Sequence, residues 1–193
     1  MEPERFCLKF FARPDTDVDD EVFIAIFHEW IRYQKLAGVL LDVADYRHVP
    51  HGPGVMLITH DINFAMDRAA GRFGLFAQQK LNQAENRRDQ ILSLVRPTVA
   101  FGALLESDWR VKKNLSFEAG QFHLMSNDRL RLPNTDTAYA GILPDLKAAA
   151  AIIYPGREIS LARMENDARE RLTVTVDAGV SVNMKELVAA VSA

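Results

Sequence analysis

Residues 39–68, VLLDVADYRHVPHGPGVMLITHDINFAMDR, combine the chain's densest run of strand-forming residues with its most unusual polar chemistry. Residues 39–44 and 55–59 are short aliphatic and β-branched runs with turn residues between them. This pattern predicts a hairpin, with 39–44 antiparallel to 55–61. The connecting loop, Tyr46-Arg47-His48-Val49-Pro50-His51-Gly52-Pro53-Gly54, carries two prolines that fix φ and two glycines that permit positive φ. It is therefore a shaped loop that presents its side chains reproducibly.

Outward from the hairpin, residues 6–12 form a hydrophobic strand closed by Arg13-Pro14. An acidic stretch then leads into a helix near 19–35. In that helix Phe23, Ile26, Phe27, Trp30 and Ile31 share one face, and Gly38 would end it. Residues 64–71 read as a turn, and 72–79 as a third strand that would pair back on 55–63. Across 82–106 a helical period runs straight through Pro97, which predicts one kinked helix or two shorter ones. Residues 107–116 are polar and charged.

The second half opens with a strand at 117–125, followed by a helix over 139–153 interrupted at Pro144. Alternation then predicts strands at 158–163 and 172–177. A last helix at 183–192 begins with Asn183 as N-cap and Glu186 three residues on, the signature of a capping box.

The element order is thus β-α-β-β-α twice, the first half with an extra strand. The fold class that follows is α+β: an antiparallel or mixed sheet with helices on one face, built from two ferredoxin-like halves in tandem. The halves are 1–106 and 117–193, with 107–116 as connector, and one compact sheet made from both is the competing arrangement.

Composition narrows the function classes. The 193 residues are 48% hydrophobic and 25% charged with a net charge of -3, an ordinary soluble profile with no basic stripe for nucleic acid. No window approaches the roughly 20 apolar residues of a membrane span, and the N-terminus does not read as a signal peptide. One cysteine, Cys7, rules out an internal disulfide, a multi-cysteine zinc site and a CxxC motif, so a cytoplasmic setting is expected. No GxSxG, GxxxxGK[ST] or GxGxxG occurs.

The stretch DVADYRHVPHGPGVMLI, with THDINFAMD after it and NDRLRLPNT in the second half, resembles an uncharacterised family of small bacterial proteins. The resemblance covers most of the chain and implies no established activity, fold or functional residue.

The residues themselves offer three constellations. His48, His51 and His60 fall within thirteen positions beside Asp42, Asp45, Asp61 and Asp67, and imidazole and carboxylate are ligands of zinc, iron and manganese. A divalent metal is the one cofactor this suggests, although the spacing matches no HExxH pattern. Solvated or loop-capping side chains account for the same residues. Asp42 interrupts an apolar run and is either paired, exposed on an open sheet face, or tuned for proton transfer. Asn127-Asp128-Arg129 places a donor, a carboxylate and a guanidinium in one turn, enough to orient a small anion or to clamp the turn.

Two functions follow. One is a binding or regulatory module for a small molecule or a protein partner, with residues 42–68 forming one wall of its site. The other is a metal-dependent, hydrolase-like enzyme using His48, His51 and His60 with an aspartate. Asp42, Asp45, His48, His51, His60, Asp61 and Arg129 are the candidate ligand contacts.

Overall fold

The computed structural model describes residues 4–192. The order is β1 (Phe6–Ala12), α1 (Glu21–Arg32), β2 (Leu40–Asp45), β3 (Val55–Thr59), β4 (Ile62–Asp67), β5 (Gly74–Gln79), α2 (Arg87–Ser107), β6 (Phe117–Ser126), α3 (Asp136–Ile153), β7 (Ser160–Arg163), β8 (Thr173–Asp177) and α4 (Met184–Ser192). All eight strands join one sheet in the order β2-β3-β4-β5-β1-β6-β8-β7. Every neighbouring pair is antiparallel.

The expected hairpin forms, with Val43 opposite Leu57 and Asp45 opposite Val55. The predicted turn at 64–71 forms only over its second half, 68–71. Instead Ile62–Asp67 is a strand, because Ile62, Phe64 and Met66 alternate into the core while Asn63, Ala65 and Asp67 face the other way. The turn before it, His60-Asp61, has no glycine or proline to mark it; it is held by the Thr59 hydroxyl, which donates to the Ile62 carbonyl at 2.5 Å. With β4 in place, β5 pairs with β4 and β1 rather than with β3.

The two halves meet where β1 pairs with β6, so their strands form a single surface. In each half the first strand also pairs with the last strand of its own meander, β1 with β5 and β6 with β8.

Period-2 alternation sorts the central strands into two faces. Phe6, Leu8 and Phe10 of β1, Leu75 and Ala77 of β5, and Phe122 and Leu124 of β6 point into one large apolar core. All four helices contribute to that core: Trp30 from α1, Phe101 from α2, Leu146 from α3 and Leu187 from α4. At its centre the Phe101 ring lies 4.9 Å from Trp30 and 4.5 Å from Phe64. Both α2 and α3 continue through internal prolines, Pro97 and Pro144. For α3 this differs from the expected interruption, since packing of Ile142, Leu146 and Ile153 on either side of Pro144 holds the helix together. The predicted capping box is present: Glu186 N–H donates to Asn183 Oδ1 at 2.9 Å and Asn183 N–H to Glu186 Oε2 at 3.3 Å.

Candidate functional site

With the four helices packed into one core, the cavity on the other face of the sheet is bordered by the segments that connect the strands. Cys7, Lys9 and Phe11 of β1 point there, although the whole strand is buried. Register places Phe76 and His123 on either side of Lys9, and Met125 beside Cys7. Lys9, Phe11, Phe76, His123 and Met125, together with Thr173 of β8, floor this cavity of about 600 Å³, and Cys7 adjoins it through Arg171. Its rim comes from three connections: His51 and Pro53 of the β2–β3 loop, Ala69 and Arg72 of the β4–β5 turn, and Met164, Asn166 and Arg171 from the β7–β8 loop.

At the centre Lys9 Nζ donates to Asp67 Oδ2 at 2.7 Å and to the Ala69 carbonyl at 3.0 Å. Lys9 and Asp67 lie two strands apart, and on the strand between them Gly74, opposite both Phe11 and Asp67 in the ladders, carries no side chain. A Cβ on Gly74 would come within 2.2 Å of the Phe10 carbonyl oxygen. Burial lowers the Lys9 pKa, and the hydrogen bond and charge of Asp67 oppose that shift.

His123 sits edge-on to Phe11, with ring centroids 4.7 Å apart. Its pKa is lowered by burial and then by the neighbouring charges of Arg72 and Lys9. The Arg72 guanidinium stacks over Phe11 at 3.8 Å and pairs at the exposed rim with Glu118 at 2.9 Å. Arg171 Nη1 approaches Cys7 Sγ at 3.4 Å. Burial pushes the Cys7 thiol up to about 11 against the pull of Arg171, so it is held as a neutral thiol. Among the described residues no carboxylate lies within ion-pair distance of Arg171.

Of the residues singled out in the sequence, His51 reaches this cavity, and so does Asp67, one of the aspartates beside the histidine cluster. Asp42 is exposed on the edge strand β2 and its carboxylate accepts the Val43 N–H at 2.8 Å. Asp45 accepts from the Arg47 backbone N–H at 3.0 Å and from its guanidinium at 2.8 Å; Arg47 holds its carboxyl down at about 2. Arg129 is exposed and donates to the Arg169 carbonyl, clamping the β6–α3 connection to the β7–β8 loop.

The three-histidine site is corrected. His48 and His51 lie in the loop before β3, whereas His60 follows its far end, paired with Asp61 at 2.7 Å in the open. Five residues of extended strand separate them by about 17 Å. Among the described residues no group of three or more His, Cys, Asp or Glu side chains could hold a metal ion.

Lys9, Phe11, Arg72, Phe76, His123 and Arg171 escaped the sequence reading. One signal was available: Lys9 interrupts the apolar run Phe6-Cys7-Leu8-Lys9-Phe10-Phe11 just as Asp42 interrupts its own, and it is the lysine that is buried.

A second cleft, of about 540 Å³, lies between Arg13, Gln121 and Asp177, and two pairs of its polar side chains bond one another. Gln121 donates to Asp177 at 3.0 Å and Arg13 to Ser181 at 3.3 Å. Among the described residues no helix is long and apolar enough to cross a membrane. No family model matches the chain, and no curated protein and no solved structure matches it either.

Proposed function

We propose that this chain is a small-ligand-binding module whose ligand, a small organic anion, sits in the cavity bordered by the strand connections. One observation carries the reading. The cavity walls hold Lys9, Arg72 and Arg171 against a single carboxylate, Asp67, and that carboxylate is committed to Lys9. A volume of about 600 Å³ suits a small molecule, and aromatic and thioether side chains beside a few placed charges are the usual lining of such sites. A guanidinium with no carboxylate of its own is well suited to receive one from a ligand. The two halves read as ferredoxin-like units in tandem, each using the other's first strand to complete its sheet, and this brings Arg72 of one half and Arg171 of the other to one cavity. A chain with one buried thiol suits a cytoplasmic setting.

Calorimetric titration with simple monocarboxylates and a thermal-shift series test the reading. Saturable binding should raise the melting temperature with ligand concentration. Arg171→Gln should weaken that binding about tenfold or more, as expected for a charged hydrogen-bonding partner. Equal binding by wild type and Arg171→Gln would remove the cavity from consideration.

A further inference from the structure

The same cavity carries two guanidinium groups at opposite ends, Arg171 with no carboxylate partner among the described residues and Arg72 paired at the exposed rim with Glu118, and this bears on the shape of the ligand. Arg171 touches Cys7, and Arg72 stacks on Phe11. Cys7 and Phe11 point to the same face of β1 and lie four residues apart, about 14 Å along an antiparallel strand. Between them stands Lys9, whose ammonium is bonded to Asp67 and the Ala69 carbonyl, so the middle of the floor is close to neutral. Phe76 and Met125 add apolar surface on either side. The result is a trough with a guanidinium at each end, that of Arg72 shared with Glu118 at the rim, and a largely satisfied, partly apolar centre.

We propose that the ligand is an α,ω-dicarboxylate, with one carboxylate on Arg171, the other on Arg72, and its methylene chain lying across the floor beside Lys9. This assignment rests on the anion-binding reading above. A monocarboxylate would satisfy one guanidinium and leave the other in the cavity wall without an ionic partner from the ligand. A bisphosphate would bring up to two charges to each end, where a single arginine waits; carboxylates match one charge to one guanidinium, in the planar geometry that favours paired N–H···O bonds. Glu118 already occupies part of Arg72 from the exposed rim at 2.9 Å, so that end is the weaker one and Glu118 competes with the ligand for it.

The test is calorimetric titration of the full chain with a dicarboxylate series from succinate to suberate, alongside the monocarboxylate of matching length. Wild type should show an affinity maximum at one chain length, with the best dicarboxylate about tenfold or more tighter than its monocarboxylate. Arg72→Gln and Arg171→Gln should each reduce that advantage to about threefold or less, and Glu118→Gln should increase it. Denaturation midpoints of the variants establish that each is folded, and Arg72→Lys and Arg171→Lys should retain part of the advantage by keeping the charge. Equal binding of monocarboxylates and dicarboxylates by wild type would overturn the dicarboxylate assignment and leave the anion-binding reading standing. A dicarboxylate advantage that survives in both glutamine variants would overturn the two-arginine geometry. Absence of binding by either series at millimolar concentration would overturn both readings together.

Discussion

Lys9 Nζ and Asp67 Oδ2 lie 2.7 Å apart across two strands, with each side chain only 7% exposed. Desolvating two charges is costly, and mutual attraction offsets that cost only while both remain. Asp67→Leu and Lys9→Met should therefore each destabilise the protein, by about 3–5 kcal/mol, through the charge left behind. The double replacement Lys9→Met with Asp67→Leu should recover most of that loss. Urea denaturation of the two singles and the double closes the cycle, and additive losses would show that the two groups are not coupled.

His123 makes stability depend on pH with a definite sign. Its folded pKa lies below the ordinary value of 6.5, for reasons of burial and then the Arg72 and Lys9 charges. The unfolded chain therefore binds the proton first as pH falls, and stability should decline through and below 6.5. His123→Gln should flatten that decline in urea midpoints taken between neutral pH and about 5. An unaltered slope would place the pH sensitivity elsewhere.

Trp30 is 1% exposed and contacts both Phe27 and Phe101 in the core. Trp30→Ala should cost about 3–5 kcal/mol, read as a lower denaturation midpoint at constant slope.

Two glycines should respond in opposite directions to alanine. Gly74→Ala places a methyl group within 2.2 Å of the Phe10 carbonyl oxygen and should destabilise by about 1–3 kcal/mol, because backbone must move. Gly141 lies in α3 with nothing within 4 Å of its Cβ position, so Gly141→Ala should stabilise by about 0.5–1 kcal/mol. Thermal unfolding of both variants beside wild type reads the two signs directly.

Local pattern was a good guide wherever one element's own residues decide the outcome. The helix face of Phe23, Phe27 and Trp30, the Asn183–Glu186 capping box, the β2–β3 hairpin and the helix running through Pro97 are all present as their spacing predicts. Where the signal was absent the prediction failed. The turn at His60-Asp61 is made by a Thr59 hydroxyl rather than by glycine or proline, so residues 64–67 continue a separate strand where the pattern predicts a turn.

The sequence by itself determined the α+β class, the alternation and helical faces that build the core, and the exclusion of disulfide and multi-cysteine metal chemistry. Only the tertiary structure decided the site. Which strands become neighbours depends on pairing between segments far apart in the chain, and the approach of Lys9 to Asp67 spans fifty-eight positions and that of Arg171 to Cys7 spans 164. The histidine cluster shows the converse. Residues close in sequence were carried apart by the five extended residues of β3, because a strand converts short separation along the chain into distance along the sheet.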